Sequence, residues 1–159
     1  MTRPSIYEFA GGEDAFLALA AAHHQRCLDD PELNHPFSQG VNPAHIENLA
    51  SYWAEVFGGP ALYSESLGGH SAMLSIHTGK GAGHEYGPRF VECFTRAADD
   101  VGLPEDPDFR AALRAYMEWA VADVLQYSPQ GTVAPSALIV PRWSWDGLRR
   151  TQLDERARR

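Results

Sequence analysis

The sequence is short of several things at once, and each shortage closes a class of function. Only two of its 159 residues are cysteine, Cys27 and Cys93. They stand far apart, lack metal-ligand spacing, and each falls within an apolar helical pattern, so two buried free thiols are expected rather than a disulfide. No apolar run nears the roughly 20 residues that cross a bilayer. Met1-Thr2-Arg3-Pro4 also lacks the apolar stretch of a secretory signal. The expectation is a cytoplasmic protein without membrane contact. Residues 1–128 carry 7 basic and 18 acidic side chains, whereas residues 129–159 carry 6 arginines and 3 acids. An acidic body is poorly suited to neutralising phosphates, which argues against a nucleic-acid partner.

Familiar catalytic signatures are missing as well. There is no glycine-rich phosphate loop followed by lysine and serine or threonine, no His-Glu-x-x-His helix and no Gly-x-Ser-x-Gly elbow. The acidic pairs Glu13/Asp14, Asp29/Asp30 and Asp99/Asp100 fall near helix ends, where carboxylates are usually solvated or capping. No segment alternates apolar and polar residues for long enough to read as a strand. The fold class is therefore all-α.

Helical periodicity is abundant. Glu13 to Leu28 places Phe16, Ala20, His23 and Cys27 at three- and four-residue steps, with His24 alongside. Asn42-Pro43 is a sound helix start, and His45, Leu49, Trp53 and Phe57 follow at four-residue intervals until Gly58-Gly59-Pro60 stops the run. A short turn is expected around 61–66 and another from Ser71 to His77. A glycine-rich loop over 78–87 then leads into a helix whose inward face is Phe90, Phe94, Ala97 and Val101. Asp106-Pro107 opens the last helix, with Phe109, Leu113, Met117, Ala120 and Val124 as its stripe. Beyond Ser128 periodicity is lost, leaving an extension of uncertain order in which 137–140 and 143–148 could pack. The organisation expected is one domain over 1–129 and an extension, partly ordered or disordered, over 130–159.

Seven histidines invite a metal or cofactor. His23 and His24 are adjacent on one helix and point about 100° apart, so they share a metal poorly. His35 lies in a turn-rich corner, and His70 and His84 adjoin glycine-rich stretches, which reads as exposed. His45 heads an apolar stripe and His77 ends a short helix before the loop. On pattern alone each is either a hydrogen-bonded core histidine or a ligand.

An ordered series of motifs narrows this choice. Tyr7-x-x-x-Gly11-Gly12, Asp30-Pro31-x-Leu33-x-x-x-Phe37, Gly58-Gly59-Pro60-x-x-Tyr63, Gly69-His70, His77, Tyr116-x-Glu118-x-Ala120 and Ser128-Pro129 together resemble the truncated haemoglobins, most closely their second group. The resemblance covers roughly residues 5–129. It implies a two-on-two helical sandwich holding haem b, with His77 as the proximal iron ligand, because neutral imidazole suits iron. It also implies that Phe37 packs on the porphyrin and that His45 and Leu49 face the sixth coordination position. Trp53 would lie one turn further on, and Phe90 would lean into the pocket. Tyr63 and Lys80 complete the implied cofactor contacts, with Arg89 a second basic candidate near the propionates.

His24 falls on the family's distal tyrosine position, with His23 the alternative if the register slips by one. The second group usually has tryptophan at Phe90, tyrosine at His24, and arginines where Leu74 and Ile76 stand. Hydrogen bonding to bound oxygen would therefore pass to His45 and His24, which are the catalytic candidates. The implied ligands are O2, NO or another small molecule, with an electron-donating reductase and room for a homodimer. The implied activities are gas binding and haem redox chemistry of the NO dioxygenase, peroxidase or oxygenase kind. Two alternatives are a gas sensor or interaction module signalling through the extension, and a globin-like bundle that has lost its cofactor.

Overall fold

The structure is a computed structural model and describes residues 2–34, 43–70, 73–74, 85–135 and 138–149. Among the described residues the helices are α1 (Ile6–Ala10), α2 (Glu13–Asp29), α3 (His45–Val56), α4 (Leu62–Leu67), α5 (Tyr86–Asp100) and α6 (Pro107–Leu125). A hairpin of β1 (Arg142–Ser144) and β2 (Gly147–Arg149) follows, with Trp143 opposite Leu148.

The boundaries follow from local chemistry. At the start of α6, the Asp106 side chain accepts a 2.9 Å bond from the Phe109 amide, and Pro107 occupies the first turn, where its missing N–H has no helical partner to lose. Helix α1 is a single short turn that periodicity could not reveal; Ser5 caps it by accepting from the Glu8 amide. The Gly58-Gly59 pair ends α3 for two separate reasons. Gly58 has φ of 101°, which disfavours any side chain. Gly59 has no room for one, because a Cβ there would lie 2.7 Å from the Ala54 carbonyl and 2.8 Å from the Tyr7 ring. That close approach seats α1 on the end of α3, where the Tyr7 amide bonds the Phe57 carbonyl at 2.9 Å.

Helix α2 packs against both α3 and α5, and α5 against α6, which makes two helix pairs laid one across the other. Aromatic rings fill the crossing. Phe16 meets Phe57 at 5.7 Å, Phe57 meets Tyr116 at 4.8 Å, and Trp53 meets Phe94 at 4.9 Å, so all four principal helices share one core. Each such ring stabilises the fold by roughly 1.5–3 kcal/mol through burial alone. Cys27 and Cys93 are buried free thiols that pack with Leu33 at the α2–α5 contact.

The described part of the extension lies on this core. Val140 and Trp143 are buried, Trp143 against Tyr116 and Trp119. Arg142 donates to the carbonyls of Glu55 and Gly59. Trp145 donates to the Pro4 carbonyl at 2.8 Å and lies beneath the Arg3 guanidinium. The hairpin thereby clasps both the end of α3 and the start of the chain. No helix among the described residues is long and apolar enough to cross a membrane.

Candidate functional site

Helices α2 and α3 cross so that His24, late in α2, and His45, first residue of α3, bring their rings to 5.1 Å centroid separation, tilted by 56°. Both are partly exposed, and burial lowers the His24 pKa. His23, one residue earlier, turns about 100° away into the core. Its ring meets the edges of Phe90 at 4.5 Å, Trp53 at 5.5 Å and Phe94 at 5.9 Å. Its Nε2 lies 3.5 Å from Cys27 Sγ, and Nδ1 finds no hydrogen-bond partner among the described residues. Burial pushes the His23 pKa down to about 3, so the ring is neutral.

A second polar cluster lies between α3 and α6. The Tyr52 hydroxyl is 2.6 Å from His70 Nδ1, and His70 Nε2 is 2.8 Å from Asp123 Oδ2. Beside it, the buried Glu55 carboxylate accepts from the Ser64 amide at 2.9 Å and from its hydroxyl, capping the first turn of α4.

A family model described as bacterial-like globin matches residues 5–123, three quarters of the chain. The chain belongs to the bacterial-like globin family. It is similar to the two-on-two hemoglobin-3 of Arabidopsis thaliana, with 30% identity over 98 residues, 60% of this chain and 55% of the plant protein, so it spans just over half of that relative. Among solved structures it resembles the hemoglobin of the thermophilic phototrophic bacterium Chloroflexus aurantiacus, at 30% identity and a TM-score of 0.66, covering 77% of this chain and 98% of that one. It shares its fold with the group II truncated hemoglobin from Bacillus anthracis, at 19% identity and a TM-score of 0.69, over 83% and 98% of the two chains. The two-on-two truncated globin fold read from the motifs is the fold of this chain.

The residues singled out in the sequence fall into three places in this globin. His24 and His45 are adjacent, and Leu49 lies one turn along α3 from His45, half covered. Phe90 is also half covered, but its nearest ring partner is His23. Trp53 is only 3% exposed and packs on His23 and Phe94. The reason is rotational: each four-residue step over-turns by about 40°, so two steps carry Trp53 about 80° round the helix from His45. Tyr63 is likewise buried, edge-on to Tyr52 at 5.0 Å.

Phe37, His77 and Lys80 lie outside the described residues, as do His35 and His84. Arg89, the second basic candidate, is clasped by Asp30 at 2.9 Å across the α2–α5 contact. His70, expected to be exposed, is 6% exposed and fully engaged between Tyr52 and Asp123. Tyr52, Asp123 and His23 were not singled out for this kind of contact. The available signals were Tyr52 seven residues after His45, and Asp123 as an acid in the apolar second half of α6.

The fit of haem is testable on one side of the fold. There, α3 and α5 leave Leu49 and Phe90 half covered while Ala50, Trp53 and Phe94 on the same helices are buried. Apolar surface of that kind suits a porphyrin face, and two imidazoles beside it supply nitrogens suited to iron or to a bound gas. The described residues fit the group.

Proposed function

We propose that this globin binds haem b and holds a small gaseous ligand, O2 or NO, on the side of the haem bounded by His24 and His45. The observation that carries this reading is the 5.1 Å pairing of those two rings, drawn from separate helices, within a truncated globin fold. His77 is the proposed proximal ligand, with Phe37, Leu49 and Phe90 as the apolar contacts and Lys80 the basic one. Haem, when bound, supplies ligand binding and electron transfer at iron.

The chain's own share is positioning. A neutral imidazole presents one N–H donor and one acceptor, so the pair can donate to a bound ligand and pass a proton between the two rings. Burial lowers the His24 pKa and so favours its neutral state. A pocket edged by two imidazoles rather than by phenol and indole favours proton-linked chemistry of a bound ligand, with a separate reductase as electron source. Reaction types of the NO dioxygenase, peroxidase or oxygenase kind all fit that description.

Oxygen release tests the role of the pair. Replacing His24 or His45 with leucine removes one donor, and about 0.5–1.5 kcal/mol of lost hydrogen bonding corresponds to roughly a 2- to 12-fold faster dissociation. Stopped-flow release rates of the two variants that match the wild-type rate would remove the histidines from the ligand site.

A further inference from the structure

Tyr52, His70 and Asp123 form a hydrogen-bonded chain to which the proposed function assigns no role. A carboxylate only accepts, so His70 Nε2 carries the proton donated to Asp123 Oδ2 at 2.8 Å. In the neutral ring Nδ1 is then the acceptor, and the Tyr52 hydroxyl donates to it at 2.6 Å. With the ring neutral, the order runs phenol to imidazole to carboxylate.

The surroundings restrict what Tyr52 can do. Its side chain is buried, and burial pushes its pKa well above the ordinary phenol range, so a phenolate does not form ahead of oxidation. A phenol cation radical in the same place would be an unpaired buried charge, which is costly. Loss of an electron together with a proton escapes both penalties, and a proton acceptor already waits on the hydroxyl.

We propose that Tyr52 is a redox-active tyrosine that gives one electron to a strong one-electron oxidant while its hydroxyl proton moves to His70 Nδ1. The O–H bond breaks, an Nδ1–H bond forms, and the oxidant is reduced by one electron. The products are a neutral Tyr52 phenoxyl radical and a His70 imidazolium, whose charge Asp123 balances through the Nε2–H bond. Asp123 is a positioning residue in this step. Trp119 stacks on His70 at 6.5 Å and is partly exposed, and Trp143 lies 5.9 Å beyond it. These rings offer a path by which a reductant at the surface refills the radical. Peroxide-treated haem is the oxidant that the proposed function would supply. A photochemical oxidant replaces it in the test, so failure of haem binding leaves the outcome unaffected.

The experiment is high-field electron paramagnetic resonance of the full chain, frozen after illumination with tris(bipyridine)ruthenium and a sacrificial electron acceptor. Wild type should give a neutral tyrosyl signal with a hydrogen-bond-lowered largest g value and a coupling to one exchangeable deuteron in D2O. Tyr52→Phe should lose that component, leaving only signals from the five other tyrosines. Asp123→Asn, a part-exposed position at which the fold is checked by circular dichroism, should lose most of it. Absence of the hydrogen-bonded component in wild type overturns the proposal. So does its full retention in Tyr52→Phe or in Asp123→Asn. If Tyr52→Phe does not fold, the wild-type spectrum and Asp123→Asn decide.

Discussion

His23 meets Phe90 edge-on, with 4.5 Å between ring centroids and 80° between ring planes. This contact places an ionisable ring in the core at the α2–α5 crossing. His23 is 1% exposed, and Trp53 and Phe94, whose rings also meet it, are themselves buried. The site admits the neutral ring and rejects the imidazolium.

The pH dependence of stability follows from that rejection. The folded pKa is near 3 and the ordinary value is 6.5, so between these limits the unfolded chain binds a proton that the native chain does not. Stability is full above pH 6.5 and falls as the pH drops towards 3, by up to about 1.4 kcal/mol per pH unit from this group. His24 shifts in the same direction and adds to the slope. Asp30 and Asp100, held low by Arg89 and Arg26, act only below their ordinary range. Urea denaturation at pH 7 and pH 5 should therefore show a loss of about 2 kcal/mol from His23, much reduced in His23→Phe. Parallel losses in both proteins would show that His23 is not the group responsible.

The extension makes its own prediction. Trp143 is 8% exposed on Tyr116 and Trp119, and Arg142 bonds two carbonyls at the end of α3. Trp143→Ala should cost about 3–5 kcal/mol, as large-to-small changes at buried aromatic sites do. The exposed Asp146→Ala should stay within about 0.5 kcal/mol of wild type. Thermal unfolding should remain a single transition in both. A Trp143→Ala melting curve identical to wild type would mean that the hairpin contributes nothing to the core.

These relationships were unequally legible in the sequence. Helices α2 and α6 show themselves because long stripes and the Asp106-Pro107 cap are local signals. The neighbouring His24 and His45 come from the motif register, since nothing local joins residues on two helices. The four-residue repeat from His45 to Trp53 shows the helix but not the partners of Trp53, since His23 and Phe94 lie on other helices. The glycines beside His70 suggest exposure, because its partners Tyr52 and Asp123 lie 18 and 53 residues away. The hairpin has only three residues in each strand, too few for alternation to be seen.

The central claim, haem held by His77, is tested most directly by the visible spectrum of the purified protein mixed with haemin, reduced, and exposed to carbon monoxide. Wild type should show a Soret band that shifts on carbon monoxide binding, and His77→Ala should fail to retain haem through gel filtration. A wild-type protein with no Soret band after haemin addition, or a His77→Ala protein with full retention, would contradict it.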